Sequence, residues 1–180
     1  MTRAGTGDQT VRDASERDAA ACAAIYAPYV VDTAITFEDD PPSSAEMAQR
    51  IASASRSHAW LVLTEGGRVA GYAYGATFNQ RAAYRWTCEV SIYLELGRRR
   101  TGAGRALYSA LLVLLAGRGF RIAAAGMTLP NDASVGLHRA LGFEPVGTYR
   151  RIGFKHGRWH DVAWTQRRLA TGEDPPPEPT

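Results

Sequence analysis

Arg99-Arg100-Thr101-Gly102-Ala103-Gly104-Arg105 joins a strand-like run, Thr87 to Leu94, to a helix-like run, Arg105 to Arg118. A glycine-bearing turn from a strand into a helix gathers backbone N–H groups at one spot, and the helix dipole adds partial positive charge there. The stretch reads as a cradle for a phosphate or pyrophosphate, with arginines on its rim. Two familiar cradles fail on spacing. A Walker loop ends in Gly-Lys-Ser/Thr, whereas Gly104 is followed by Arg105-Ala106. A dinucleotide fingerprint needs a third glycine three residues after Gly104, and Leu107 stands there. What remains is Arg/Gln-x-x-Gly-x-Gly/Ala. A solvated, arginine-rich connector is the alternative reading of the loop taken alone.

Working outward, the apolar period assigns the flanking elements. Leu107, Ala110, Leu111, Leu114 and Leu115 share one helical face, so the helix after the loop packs on a core. Gly117 and Gly119 end it. Arg121 to Leu129 reads as a strand, Asp132 to Leu141 as a short helix stopped by Gly142, and Pro145 to Arg151 and Val162 to Leu169 as closing strands. Upstream, Trp60 to Thr64 and Val69 to Phe78 form a hairpin around Gly66-Gly67. Ser15-x-x-Asp18 and Ser43-x-x-Glu46 are capping boxes. They open helices ending near Ala27, before Pro28, and near Ser55. Thr10 to Arg12 makes a short first strand. The order is βααβββαβαββ, a mixed central β-sheet flanked by helices in one α/β (α+β) domain spanning 10–169. Residues 1–9 read as a flexible N-terminus and 170–180 as a proline-rich, disordered tail.

Composition narrows the function. The chain carries 21 basic and 18 acidic residues, and arginine supplies nearly all of the positive charge. The arginines are spread along the chain apart from Arg98-Arg99-Arg100, and no recognition helix interleaves basic and aromatic residues, which argues against a nucleic-acid partner. No apolar run approaches the roughly 20 residues that span a bilayer, so no membrane partner is expected. The polar start, Met1 to Gln9, has no apolar core of a secretory signal. Cys22 and Cys88 form no metal or redox spacing, which fits the cytoplasm. His156 and His160 are four apart, but Gly157 between them opposes a helix and no third ligand is evident. No metal is expected.

Two motifs together carry a resemblance. The loop resembles the acetyl-CoA pyrophosphate loop of the GNAT superfamily of N-acetyltransferases. Asn131-Asp132-Ala133-Ser134-Val135-Gly136-Leu137-His138-Arg139-Ala140-Leu141-Gly142-Phe143 is similar to that superfamily's later motif, with Asn131, Ser134, Gly142 and Phe143 matching and His138 replacing the usual tyrosine. The element order is that of the GNAT fold. Three further stretches, Arg81 to Glu89, Leu129 to Val135 and Gly153 to Val162, resemble the phosphinothricin N-acetyltransferase branch, which includes enzymes acting on methionine sulfoximine and sulfone. Lys155 to Asp161 is the most specific part, and is expected to form a turn near the sheet. The resemblance covers about Val11 to Leu169.

The resemblance implies transfer of acetyl from acetyl-CoA, as co-substrate, to the α-amino group of a small amino-acid-like compound. Glu89 is the candidate base: glutamate is disfavoured inside strands, and here it sits among apolar neighbours. A water-facing strand position is its ordinary explanation. His138 is the candidate acid for the departing thiolate, or else a packing residue beside the cofactor. The cofactor would use backbone N–H groups of Arg99, Arg100, Thr101, Gly102, Ala103, Gly104 and Arg105. The strand edge at Ile92, Tyr93 and Leu94 would pair with the amide-rich pantetheine arm. Asn131 and Ser134 would stand beside the same arm. For the amine substrate, Arg81 offers a fork to a carboxylate, with Tyr84 and Phe37 lining the pocket. The branch's habit implies a homodimer. Rival readings are an acetyltransferase for a polyamine or a protein N-terminus, a non-catalytic acyl-CoA-binding module, and a basic nucleic-acid binder.

Overall fold

The structure, a computed structural model, describes residues 9–98, 102–172 and 178–179. Its order matches the sequence reading: β1 (Gln9–Asp13), α1 (Ala19–Asp32), α2 (Ser44–Ser57), β2 (Ala59–Glu65), β3 (Arg68–Thr77), β4 (Thr87–Leu94), α3 (Ala103–Gly117), β5 (Ile122–Thr128), α4 (Asp132–Ala140), β6 (Glu144–Lys155) and β7 (Arg158–Arg168). The seven strands form one sheet in the order β1-β2-β3-β4-β5-β7-β6. Every neighbouring pair is antiparallel except β4 and β5, which run parallel through the α3 crossover.

Local signals explain most boundaries. Both capping boxes form, with the Ser43 hydroxyl accepting from the Glu46 amide and the Glu46 carboxylate accepting from the Ser43 amide at 2.7 Å. The β2–β3 turn places Gly66 at φ 57° and Gly67 at φ 80°, the left-handed conformation that a tight hairpin demands. On one side of the sheet α3 buries Leu107, Tyr108, Leu111 and Leu115 completely, against Cys88, Val90 and Ala123. On the other, α1 and α2 bury Cys22, Val30, Met47 and Ile51 against Val62 and Tyr72.

Four expectations need correction. Pro28 does not end α1, which continues to Asp32. Ala24, whose carbonyl loses its intrahelical donor, lies on the exposed side. The last turn is anchored by tertiary bonds: Tyr29 Oη donates to the Leu94 carbonyl at 2.6 Å and Lys155 Nζ to the Val30 carbonyl at 2.6 Å. Second, Lys155 to Asp161 is not one turn. Only His156-Gly157 turns, at φ 50° and 72°, and the flanking residues extend β6 and β7. Third, Gln9 already belongs to β1, with its Nε2 donating to Glu65 at 2.9 Å. Residues 1–8 lie outside the described residues. Fourth, part of the expected loose tail is packed: Glu178 pairs with Arg85 at 3.3 Å and Pro179 abuts Gly119, while 173–177 and 180 lie outside the described residues.

β6 also carries a bulge invisible in the sequence pattern. Tyr149 faces Val162 and Gly153 faces His160, so Arg150, Arg151 and Ile152 oppose Asp161 alone. Arg151 takes φ 49° there. The Asp161 carboxylate holds the bulge, accepting from the Arg151 amide at 2.8 Å and from Arg150 Nη1 at 2.7 Å.

Candidate active site

The sheet opens at one place. β4 pairs with β5 through Thr87↔Ile122, Cys88↔Ala123 and Glu89↔Ala124, and pairing then stops. Both strands continue, to Leu94 and Thr128. The two splay apart beyond Glu89 and leave a slot whose apex is that residue. Beyond Glu89 the facing edges of β4 and β5 no longer pair with each other, so an extended amide-bearing chain fits as an added strand there, although the Leu94 carbonyl already accepts from Tyr29 Oη. Ile92, Tyr93 and Leu94, expected to pair with the pantetheine arm, lie on this edge.

Glu89 faces the α1/α2 side, because it sits directly across from Ala76 on β3 and alternates with Val90, which is buried on the α3 side. Burial alone pushes its carboxyl above the ordinary glutamate value. Ser91 and Tyr93 share its face. A cavity of about 260 Å³ opens on that face between α2 and β2–β3, lined by Tyr26, Arg50, Trp60, Tyr74 and by Ala76 itself. A half-buried carboxylate at the apex of an amide-lined slot, with its proton affinity raised, suits removal of a proton from an ammonium.

His138 lies below the slot on the α3 side and is only 4% exposed. Its Nδ1 stands 2.8 Å from the Ser134 carbonyl and 3.3 Å from Ser134 Oγ. A carbonyl only accepts, so Nδ1 carries the proton. Nε2 then accepts from the Tyr108 hydroxyl at 3.0 Å. Burial depresses the imidazole pKa, partly offset by the Ser134 carbonyl. Burial also raises the Tyr108 phenol well above its ordinary value. In this neutral tautomer the hydrogen at Nε2 belongs to Tyr108. Sequence reasoning missed Tyr108, since it reads as one more apolar-face residue of α3.

At the helix end of the slot, Gly102 takes φ 76° and caps α3, and the first intrahelical bond runs from the Ala106 amide to the Gly102 carbonyl at 3.0 Å. The amides of Gly104 and Arg105 precede it in the first turn, where unsatisfied N–H groups and the dipole favour an anion. Gly104 lets α3 close onto β4: a Cβ there would meet Leu94 Cδ1 at 3.2 Å. Arg99, Arg100 and Thr101 lie outside the described residues. Arg98 is not a rim residue; its guanidinium is bound to Glu65 and Glu95. Asn131 caps α4, Oδ1 accepting from the Ser134 amide at 3.2 Å, which leaves Nδ2 as the side chain's donor group.

The acceptor-side residues are gathered unequally. Tyr84 enters an aromatic row: its ring meets Phe78 at 5.7 Å and Phe78 meets Trp164 at 5.9 Å. Trp164 lies over Gly126, where a Cβ would stand 3.2 Å from the indole. Gly126 shares Glu89's face, since Ala124 two residues earlier pairs with Glu89. Phe37 rests on Gly153 and lies 6.1 Å from the His160 ring. Arg81 is exposed and heads the short 3-10 turn Ala82–Tyr84, with no carboxylate partner among the described residues. Phe78, Gly126 and Trp164 were not found from sequence, because only the pairing register stacks them. Among the described residues no group of three or more His, Cys, Asp or Glu side chains is placed to hold a metal, and no helix is long and apolar enough to cross a membrane.

A splayed parallel strand pair, a helix N-terminus at one end and a desolvated carboxylate at the other define an acyl-CoA-dependent transferase. The Acetyltransferase (GNAT) domain matches residues 11–164. A phosphinothricin N-acetyltransferase of Streptomyces viridochromogenes is 37% identical over 93% of this chain and 91% of its own. An L-methionine sulfoximine/L-methionine sulfone acetyltransferase of Pseudomonas paraeruginosa is 33% identical over 89% and 94%. The solved structure of a phosphinothricin acetyltransferase from Sinorhizobium meliloti in complex with AcCoA superposes with a TM-score of 0.88 at 41% identity, covering 96% of this chain and 93% of that one. The chain belongs to the GNAT acetyltransferase family, and it is an acetyl-CoA-dependent N-acetyltransferase.

Proposed function

We propose that this enzyme acetylates the α-amino group of a small amino-acid-like compound of the phosphinothricin or methionine sulfoximine/sulfone type, by direct attack in a ternary complex. The observation that carries the reading is the slot with Glu89 at its apex. Acetyl-CoA lies along β4 with its pyrophosphate on the first turn of α3 and its thioester beside Glu89. Glu89 takes a proton from the bound ammonium, directly or through a water. The freed amine pair attacks the thioester carbonyl, and the C–S bond breaks as the oxyanion collapses. The amine nitrogen sheds its second proton as the amide forms, and the thiolate leaves on the α4 side, where His138 is the candidate acid; Nε2 holds no proton in the resting tautomer, so His138 serves as acid only after a proton has been taken up there. Arg81 would take the substrate carboxylate, and Tyr84 and Phe37 would border the tetrahedral polar group. Thiol release across amino acids, sulfones, sulfoximines, phosphinates and polyamines tests the assignment. Release with polyamines alone refutes it.

We propose further that the enzyme works in the cytoplasm as a homodimer joined through β6. This edge strand exposes Val146, Tyr149, Ile152 and Phe154, and Trp159 stands exposed beside it on β7. An uncovered apolar edge is a liability for a lone chain, and a two-fold partner covers it with the same surface. The two cysteines are buried and unpaired, as a reducing compartment favours. Light scattering tests the assembly: Ile152→Asp is expected to yield monomers, and a wild-type monomer at micromolar concentration refutes it.

A further inference from the structure

The segment singled out by sequence as most specific has no role in the chemistry above, yet it holds the chain's only lysine. Lys155 is 7% exposed, and its ammonium donates to three main-chain carbonyls: Val30 at 2.6 Å, Thr36 at 2.9 Å and Glu38 at 2.8 Å. Three protons meet three acceptors, a geometry a tetrahedral ammonium fills and a planar guanidinium does not. Val30 lies in the last turn of α1, where a cation also meets the negative end of the dipole. Thr36 and Glu38 belong to the connection between α1 and α2, on either side of Phe37.

The rest of the β6–β7 tip grips the same connection. His156 Nε2 donates to the Thr33 carbonyl at 3.2 Å, Gly153 seats the Phe37 ring, and His160 stands 6.1 Å from it. His160 is itself fixed, donating from Nε2 to the Lys155 carbonyl at 3.0 Å. On the β4 side, Tyr26 Oη bonds Thr36 Oγ1 at 2.6 Å, and its ring meets Tyr93 at 4.8 Å. The 33–38 connection thus bridges β4 and the β6–β7 tip on the face of the slot that carries Glu89.

We propose that Lys155 is a positioning residue for the acceptor: by saturating the carbonyls on both sides of Phe37, it fixes that ring as the wall of the amine pocket. This rests on the acceptor reading given above. Lys155→Met keeps the stem and removes the donors. The expected result is a severalfold rise in amine KM, with the acetyl-CoA KM unchanged within about twofold, the signature of lost acceptor binding. Lys155→Arg restores charge without the three-carbonyl geometry and is expected not to rescue. Combined with Phe37→Ala, Lys155→Met adds nothing further to the amine KM, because both act through one ring. Should Lys155→Met fail to fold, Gly153→Ala is the second variant. Its Cβ would run into the Phe37 ring and must displace it, with the same KM split expected.

An unchanged amine KM in Lys155→Met or Gly153→Ala, or effects of Lys155→Met and Phe37→Ala that multiply, overturns the proposal. Amide hydrogen exchange separates its failure from failure of the acceptor reading, since it needs no substrate. Faster exchange in Lys155→Met confined to residues 33–38 is expected whichever amine the enzyme accepts. Unchanged exchange there refutes the clamp.

Discussion

Glu89→Gln keeps the side chain's shape and removes only its capacity to hold a proton. Burial pushes this carboxyl up, so its carboxylate is more basic than that of an exposed glutamate. General-base assistance of this kind contributes about 10² to 10⁴ in rate, or roughly 3–5 kcal/mol at about 1.4 kcal/mol per decade. The variant is therefore expected to lose that much kcat at neutral pH. Acetyl-CoA affinity should stay unchanged, because the slot edge and the first turn of α3 are intact. Stability moves the other way. A raised folded-state pKa means the folded chain binds the proton more tightly than the unfolded one. The residue's relative contribution is then greatest below the unfolded value and falls as pH rises through the folded value. Glutamine escapes this, so the melting temperature at neutral pH should hold or rise. The assay is thiol release against pH with saturating acetyl-CoA. Wild type should show an acid limb above the usual glutamate value of about 4.3, and the variant should lack it. A variant with wild-type kcat and an unchanged limb would falsify the assignment of Glu89 as base.

Further outcomes are expected. Tyr108→Phe leaves His138 Nε2 without its donor at a cost of about 1–3 kcal/mol in stability. It should also lower kcat at unchanged acetyl-CoA affinity; a loss of melting temperature without loss of kcat would make the pair purely structural. The depressed His138 pKa means that Nε2 stays an acceptor for Tyr108 at neutral pH and into mild acid, and is protonated only as pH falls below the imidazole's folded value, so acid beyond that point should mimic the variant. Gly102→Val forces a β-branched residue to φ 76°, at a cost of at least about 1–2 kcal/mol, and should weaken acetyl-CoA binding in a titration. Arg98→Ala, whose guanidinium is already engaged by Glu65 and Glu95, should not; the opposite order rejects the helix-terminus cradle. Leu111→Ala, at a fully buried position on α3, should cost about 2–5 kcal/mol by chemical denaturation.

Much of the fold was legible because its signals are local. Two capping boxes, one glycine pair and the apolar face of α3 fixed three helices and a hairpin. Pro28 misled because a tertiary bond, Lys155 to the Val30 carbonyl, holds the helix end past the proline. The candidate site was legible where one residue type stands out in one pattern, as at Glu89 and Gly102. It was illegible where register assembles it. Trp164 meets Gly126 only because β7 pairs with β5, and Tyr108 meets His138 only because α4 returns beneath α3. The roles of Lys155 and Gly153 depend on a loop more than a hundred residues earlier in the chain.

The interrupted seam between β4 and β5 has a mechanical consequence. Along the sheet itself, three residue pairs join a four-stranded block to a three-stranded one. A cofactor lying in the breach would supply the absent rungs of the ladder and fasten the blocks together. Coenzyme A should therefore act as a keystone as well as a reactant: the unfolding midpoint should climb with its concentration, and amides of Ser91 to Leu94 and Ala125 to Thr128 should gain the most protection.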